Sequence, residues 1–157
     1  MARRELKSLV IHCTATPEGR EVSAADIRRW HCDPVSQGGR GWKQVGYTDL
    51  IHLDGTVERL ADNNEDAWVD DWEVTNGAAG YNSVSRHVVY AGGVARDGKT
   101  PKDTRTNAQR TALERYVKDF HRRFPKVRIV GHNELAAKAC PSFDVRKWLE
   151  SIGISQK

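Results

Sequence analysis

The stretch 131–144 brings together three kinds of chemically active side chain. It places an imidazole, an amine and a thiol, those of His132, Lys138 and Cys140, within nine residues. Imidazole nitrogen and thiolate sulfur are ligands that zinc accepts, but a catalytic zinc site takes three protein ligands. The spacing therefore predicts a zinc site whose third ligand comes from elsewhere in the chain.

His12 is the candidate for that third ligand. The run 6–13 predicts a buried strand in which His12 and Cys13 point to opposite faces. Like His132 and Cys140, His12 lies at the end of a predicted element, where sites are commonly built. Each residue alone has a plainer interpretation, because a strand-end histidine is often a core or surface group and a buried free cysteine acts as a small hydrophobe. Together they form the two-imidazole, one-thiolate set of a catalytic zinc site with an open fourth position.

Three helices are predicted to position these residues. A capping box at 23–26 begins one that runs to about His31 and ends before Pro34. A second box at 106–109 begins a helix that Pro125 stops. A last helix is expected from about 144 to 152. The apolar stripe of the second helix consists of Leu113, Tyr116, Val117, Phe120 and Phe124.

The remaining pattern predicts strands at 6–13, 45–53, 56–60, 86–91 and 127–130, with Tyr47 early in the second of them. Asp54 and Gly55 predict a two-residue hairpin, because that turn needs positive φ. The acidic segment 61–80 is interpreted as a surface loop, with or without a helical turn. Strands alternating with helices predict an α/β fold, and the hairpin makes its central sheet mixed. We expect one domain, 1–157, with helices flanking the sheet.

Composition describes an ordinary globular chain, 38% apolar and 29% charged. No apolar run approaches the ~18 residues that a membrane span requires. The charged N-terminus is followed by too few apolar residues for a signal peptide, so we expect synthesis in the cytoplasm without Sec export. Three cysteines without regular spacing predict no disulfide framework and at least one free thiol.

The net charge of +4 and the isoelectric point near 9.1 suit an anionic partner such as nucleic acid or bacterial cell wall, although mixed charges also fit plain solubility. A nucleic-acid surface on the basic helix 106–124 is the weaker interpretation. Few exposed aromatic residues accompany its cations, and no nucleic-acid-binding motif is present. We expect no nucleic-acid partner.

Several segments carry a resemblance to a known family. They are IHCTAT at 11–16, VGY at 45–47, DGTVE at 54–58, GYNSVS at 80–85, GG at 92–93, HNE at 132–134 and KACPSFD at 138–144. In this order they resemble the phage-lysozyme type of N-acetylmuramoyl-L-alanine amidase, a family that includes the peptidoglycan-recognition proteins. The resemblance spans nearly the whole chain.

The resemblance implies a zinc amidase fold in which His12, His132 and Cys140 are ligands and Tyr47 and Lys138 are catalytic. Zinc lowers the pKa of a bound water from about 15.7 to around 7 and polarises a carbonyl. An ammonium or phenol aimed at the developing oxyanion is worth ~3 kcal/mol. Without the resemblance, Lys138 would be interpreted as a solvated amine and Tyr47 as a half-buried strand aromatic.

The implied activity is hydrolysis of the amide between N-acetylmuramic acid and L-alanine in bacterial peptidoglycan. We expect a phage or prophage endolysin that acts on the cell wall as a monomer. The alternative is a module that binds muropeptides without cutting them. The presence of Cys140 argues against that alternative, because inactive relatives commonly lose the cysteine ligand.

Five residues depart from the family pattern. Thr48 and Asp49 follow the VGY motif in place of an aromatic or histidine, and Gly77 stands where many members have a groove-lining histidine. Arg86 and His87 replace a typical apolar-plus-glycine pair. We expect the metal site to survive these changes and the shape and polarity of the groove to differ.

Overall fold

The computed structural model describes residues 3–156, and three α-helices, four short 3₁₀ helices and nine strands lie within that range. The helices α1 to α3 span Ala24–Cys32, Asn107–Arg123 and Val145–Ser151. The strands β1 to β9 span Arg3–Glu5, Ser8–Cys13, Thr16–Pro17, Asp49–Ile51, Val57–Arg59, Trp68–Asp70, Ser85–Tyr90, Gly93–Val94 and Arg128–Gly131. In this part of the chain no helix is both long and apolar enough to cross a bilayer.

A five-stranded sheet in the order β5-β4-β7-β2-β9 forms the centre of the molecule. Strands β4, β7, β2 and β9 are parallel, and β5 joins antiparallel through the hairpin. The predicted mixed α/β fold is therefore confirmed. The central strands β2 and β7 are buried on both faces. In keeping with this, β2 has the apolar run Leu9–Ile11, whereas β7 is apolar only from Val88 and buries Ser85, Arg86 and His87 in its first half.

Local sequence signals set the helix boundaries. Ser23 caps α1 and Thr106 caps α2, each within a reciprocal capping box. Asp144 caps α3 by accepting the backbone N–H of Lys147 at 3.1 Å. Helix α2 buries its predicted face, and the amide of Gln109 donates to the Ala91 carbonyl at 2.9 Å, which ties the start of the helix to the sheet.

The hairpin differs in one detail from its prediction. The N–H of His52 donates to the Thr56 carbonyl at 2.8 Å, so the loop between the paired residues is Leu53, Asp54 and Gly55, three residues and not two. Gly55 has the expected positive φ of +89°. The strand before it is also shorter than predicted, because β4 begins at Asp49 and leaves Tyr47 in the preceding loop.

The interpretation of 61–80 as a loop was wrong in part. Strand β6 lies within it and pairs antiparallel with β1, burying Val69. The acidic residues of this segment satisfy backbone donors, since the Glu73 carboxylate accepts from the N–H groups of Asn64 and Asp70, each at 2.9 Å. The local acidity therefore stabilises a folded turn beside a small second sheet.

Candidate metal centre and groove

Three donor side chains meet at the carboxyl end of the central sheet. His12 is the penultimate residue of β2, and His132 follows the neighbouring strand β9. Because these strands are parallel, with Ile11 opposite Gly131, their ends carry the two histidines to the same edge. Cys140 comes from the loop before α3. Ligand atoms of the three residues all lie within 4.8 Å of one another.

Several hydrogen bonds hold the loop that carries Cys140. The backbone N–H of Cys13 donates to the Cys140 sulfur at 3.2 Å, directly beside the metal-facing end of β2. The hydroxyl of Tyr90 donates to the Pro141 carbonyl at 2.6 Å, and that of Ser142 to the Gly93 carbonyl at 2.7 Å. The thiol therefore has a defined position relative to the sheet.

The electrostatics of the cluster favour uncharged imidazoles. Burial, followed by the nearby His87 and His132, holds the pKa of His12 well below its usual range. Burial and the Lys138 charge lower the pKa of His132. The hydrogen bond with the Cys13 side chain and the burial of the thiol raise the pKa of Cys140 and outweigh the opposite effect of the Cys13 backbone N–H, so a bound cation is what would favour its thiolate.

This donor set fits zinc. Two neutral imidazole nitrogens and one thiol converge from three separate segments, and the Nδ1 atom of His12 lies 3.7 Å from the Cys140 sulfur. Zinc accepts nitrogen and sulfur in this proportion, with a position left for a non-protein ligand. The structure thus brings together the three predicted ligand residues in an arrangement that can hold a metal.

Beside the cluster lies an open groove of about 380 Å³. Tyr47, Lys138 and His132 line it, which places both predicted catalytic residues next to the predicted ligands. The Tyr47 ring centre lies 5.1 Å from that of His12. Burial, followed by the nearby Cys140 and Cys13 thiols, raises the pKa of Tyr47, so its hydroxyl remains a hydrogen-bond donor at neutral pH.

Lys138 differs from Tyr47 in being exposed. Among residues 3–156, no hydrogen bond or ion pair engages its ammonium group. A cation in that position is available to a negatively charged or polarised group in the groove.

Sequence reasoning missed His31 as part of the groove. It is 8% exposed, its Nδ1 accepts the Gly46 N–H at 2.9 Å, and its ring centre lies 5.1 Å from that of Tyr47. The signal was present, because His31 stands four residues after Ile27 and so shares the buried face of α1. His31 therefore helps to support the loop and the ring of Tyr47.

Two of the five departures lie away from the site. The Asp49 carboxylate accepts from the Tyr116 hydroxyl at 2.6 Å and from Arg59 at 2.8 Å, on the sheet face opposite His12. Arg86 is buried on that face too, where it donates to the Trp68 carbonyl at 3.2 Å. Neither residue alters the polarity of the groove.

The other three departures lie at the site and contact one another. His87 is fully buried, and its Nδ1 lies 2.8 Å from His12 Nε2. Gly77 packs against the His87 ring, and the Thr48 hydroxyl accepts the His87 backbone N–H at 3.3 Å. Because Gly77 carries no side chain, there is room beside it for the imidazole ring of His87.

Comparison with known proteins gives a consistent result. The family model described as N-acetylmuramoyl-L-alanine amidase matches residues 2–143. The endolysin of Enterobacteria phage K11 is 36% identical over 149 residues, 95% of this chain and 89% of that protein. The solved Ph2119 endolysin, from a Thermus scotoductus bacteriophage, is 25% identical with a TM-score of 0.71, covering 96% of this chain and 86% of its own. Bumblebee PGRP-SA shares the fold at 20% identity and a TM-score of 0.65, over 95% of this chain and 85% of its own.

Proposed function

Because the chain belongs to the N-acetylmuramoyl-L-alanine amidase family and is a peptidoglycan amidase of the phage endolysin type, we propose that its hydrolysis depends on zinc held by His12, His132 and Cys140. The observation that supports the proposal is the convergence of these three donors within 4.8 Å beside a groove lined by Tyr47 and Lys138. The bond cleaved would join N-acetylmuramic acid to L-alanine in cell-wall peptidoglycan.

Each protein group has a definable task in this proposal. A zinc ion in such a site supplies a hydroxide nucleophile at neutral pH and polarises the amide carbonyl. His12 and His132 offer uncharged nitrogens because burial lowers the pKa of both. The Cys13 N–H donates to the Cys140 sulfur and so favours a thiolate there.

Tyr47 and Lys138 are proposed to act on the substrate. Both line the groove next to His132, one as a neutral hydroxyl donor and the other as an unpaired ammonium among the described residues. Donors aimed at an oxygen that gains charge in the transition state typically contribute 10²–10³ in rate. We assign them to the carbonyl oxygen of the scissile amide.

The whole chain, 1–157, is proposed to work as one amidase domain and as a monomer. The site needs His12 near the beginning of the chain and Cys140 near its end, so neither half could assemble it alone. All five proposed site residues come from a single copy of the chain. No second copy is required to complete the groove.

Mass analysis of purified peptidoglycan, digested with and without a chelator, tests the proposal. We expect stem peptides with a free L-alanine amine and glycan strands with intact N-acetylmuramic acid, both lost on chelation and restored by zinc. Elemental analysis should find one zinc per chain. Digestion that the chelator does not affect would contradict the metal assignment, and saturable binding without new amines would favour the muropeptide-binding alternative.

A further inference from the structure

The two ring nitrogens of His12 face different partners. Nδ1 lies 3.7 Å from the Cys140 sulfur and belongs to the proposed metal site. Nε2 lies 2.8 Å from Nδ1 of His87, a residue of β7 two positions before the direct partner of His12. His12 is only 1% exposed, so water does not compete freely for either nitrogen. Whether Nε2 of His12 carries the ring proton therefore depends on its contact with His87.

A metal-binding nitrogen must present a lone pair. If Nδ1 of His12 holds the cation, the ring proton is on Nε2 and needs an acceptor, because a buried polar N–H without one is costly. His87 Nδ1 lies at hydrogen-bond distance to accept it. The same contact in the reverse sense would put the proton on His12 Nδ1 and block that ligand position. The direction of one hydrogen bond thus sets whether His12 can bind metal.

The surroundings of His87 are arranged around this contact. A Cβ atom at Gly77 would lie 2.6 Å from His87 Nδ1 and 2.7 Å from the Gly46 carbonyl oxygen, so a larger residue at 77 would displace the ring or the loop. The Thr48 N–H donates to the His87 carbonyl at 2.7 Å, and its hydroxyl accepts the His87 N–H. Thr48 therefore holds the backbone of His87, and Gly77 leaves the space that its ring occupies.

His87 is not explained by fold stability. Its Nε2 is buried and has no hydrogen-bond partner within residues 3–156. An apolar side chain would fill the same space without leaving a polar nitrogen unpaired, so the histidine carries a cost that its contact with His12 must offset.

We propose that His87 is a positioning residue for the metal ligand His12: it accepts the Nε2 proton and so presents the Nδ1 lone pair to the cation. This inference rests on the zinc site proposed above and adds a partner outside the ligand set. Groups that hydrogen-bond to ligating histidines typically change metal affinity by 10–100-fold when they are removed.

The test measures zinc affinity by competition with a chromophoric chelator. His87→Leu keeps an apolar volume but removes the acceptor, and we expect zinc affinity to fall by about 10–100-fold. His87→Asn places an amide oxygen where Nδ1 stood and should retain affinity within several-fold of wild type. Val88→Ala is the matched control, because Val88 is the next residue of β7, fully buried and on the opposite face. It should lower stability and leave affinity unchanged.

A second readout is the ring tautomer of His12 by ¹⁵N NMR in zinc-free protein. We expect the proton on Nε2 in wild type and a mixture in His87→Leu. The inference is overturned if His87→Leu binds zinc as tightly as wild type. It is also overturned if His87→Asn or Val88→Ala loses as much zinc affinity as His87→Leu. A wild-type protein that binds no zinc would instead overturn the zinc proposal itself.

Discussion

Strands β2 and β7 lie side by side at the centre of the sheet, yet their two faces have opposite character. On the apolar face, Leu9, Ile11, Val88 and Tyr90 pack with α2 and α3 in one continuous core. On the histidine face, His12 and His87 meet ring to ring beside the groove. Because successive side chains of a strand alternate, the same backbone stabilises the fold on one side and builds the site on the other.

Both faces also hold polar groups, and those on the histidine face lie beside the proposed metal ligands. Asp49 on the apolar face has two partners, Tyr116 and Arg59. On the histidine face, one nitrogen of His87 is unpaired and the Lys138 ammonium has no partner among the described residues. Unpaired buried nitrogens occur on both faces, since Arg86 Nε on the apolar face also lacks a partner among the described residues, so the histidine face is set apart by the contact of His87 with His12. If the two faces are independent, substitutions on the histidine face should change zinc content or turnover. Substitutions on the apolar face should change the free energy of unfolding.

The largest effect is expected from Cys140→Ser. A hydroxyl is a far poorer zinc ligand than a thiolate, so turnover on peptidoglycan should fall below detection and zinc content should drop. The folded structure should persist, because Cys140 is only partly buried at the edge of the apolar core and the substitution leaves the buried residues of that core in place. Turnover, elemental analysis and circular dichroism measure the three quantities.

Cys32→Ser is the control for that variant, since Cys32 is a half-buried free thiol at the end of α1. It should keep near-normal activity and zinc. Equal loss of turnover in both variants would show that the loss does not depend on removing a zinc ligand.

Leu113→Ala tests the apolar face. Leu113 is 1% exposed in the core between α2 and the sheet, and truncating such a residue typically costs about 2–5 kcal/mol. Urea unfolding should show that loss, while zinc content and kcat of the folded fraction stay at wild-type values. A large fall in zinc affinity at temperatures where the variant is folded would show that the two faces are not independent.

Lys138→Ala and Tyr47→Phe test the two proposed oxyanion donors within the site. Both should lower kcat by about 10²-fold, because each removes a donor to the developing oxyanion and not a metal ligand. Zinc content and peptidoglycan binding should be unchanged. Loss of zinc from either variant, or near-normal turnover, would remove that residue from the catalytic role.

The smallest effect is a pH dependence from His31. Burial, with a smaller contribution from Arg40, lowers the pKa of His31 to about 4. The unfolded chain therefore binds the proton more readily, and stability should fall as pH drops from about 6.5 towards 4. His31→Asn keeps an acceptor for the Gly46 N–H but does not titrate.

Urea unfolding of zinc-free wild type and His31→Asn at pH 7 and pH 4.5 measures the contribution of His31 to the pH dependence of the free energy of unfolding. The wild type should lose about 1 kcal/mol more than the variant, a figure reduced for solvent screening. Identical pH profiles would show that His31 is solvated and not held neutral by the fold.

Much of this architecture follows from short-range signals. The capping boxes at Ser23 and Thr106 predicted where α1 and α2 begin, and Gly55 predicted the hairpin. Segment 61–80 was misinterpreted because β6 is only three residues long, too short to show a period of two, and its partner β1 lies far away in the sequence. Tyr47 was placed in a strand because the predicted strand began at Val45, whereas pairing with the sheet begins only at Asp49.

The sequence by itself determined which donors are available, His12, His132 and Cys140, and on which face of its strand His12 lies. Those properties depend on residue type and on the two-residue repeat of a strand. Only the tertiary structure decided that Nε2 of His12 would meet His87, that Gly77 would make room for it, and that Asp49 would face away. Such contacts depend on the parallel register of strands far apart in the chain, and packing of the whole sheet sets that register.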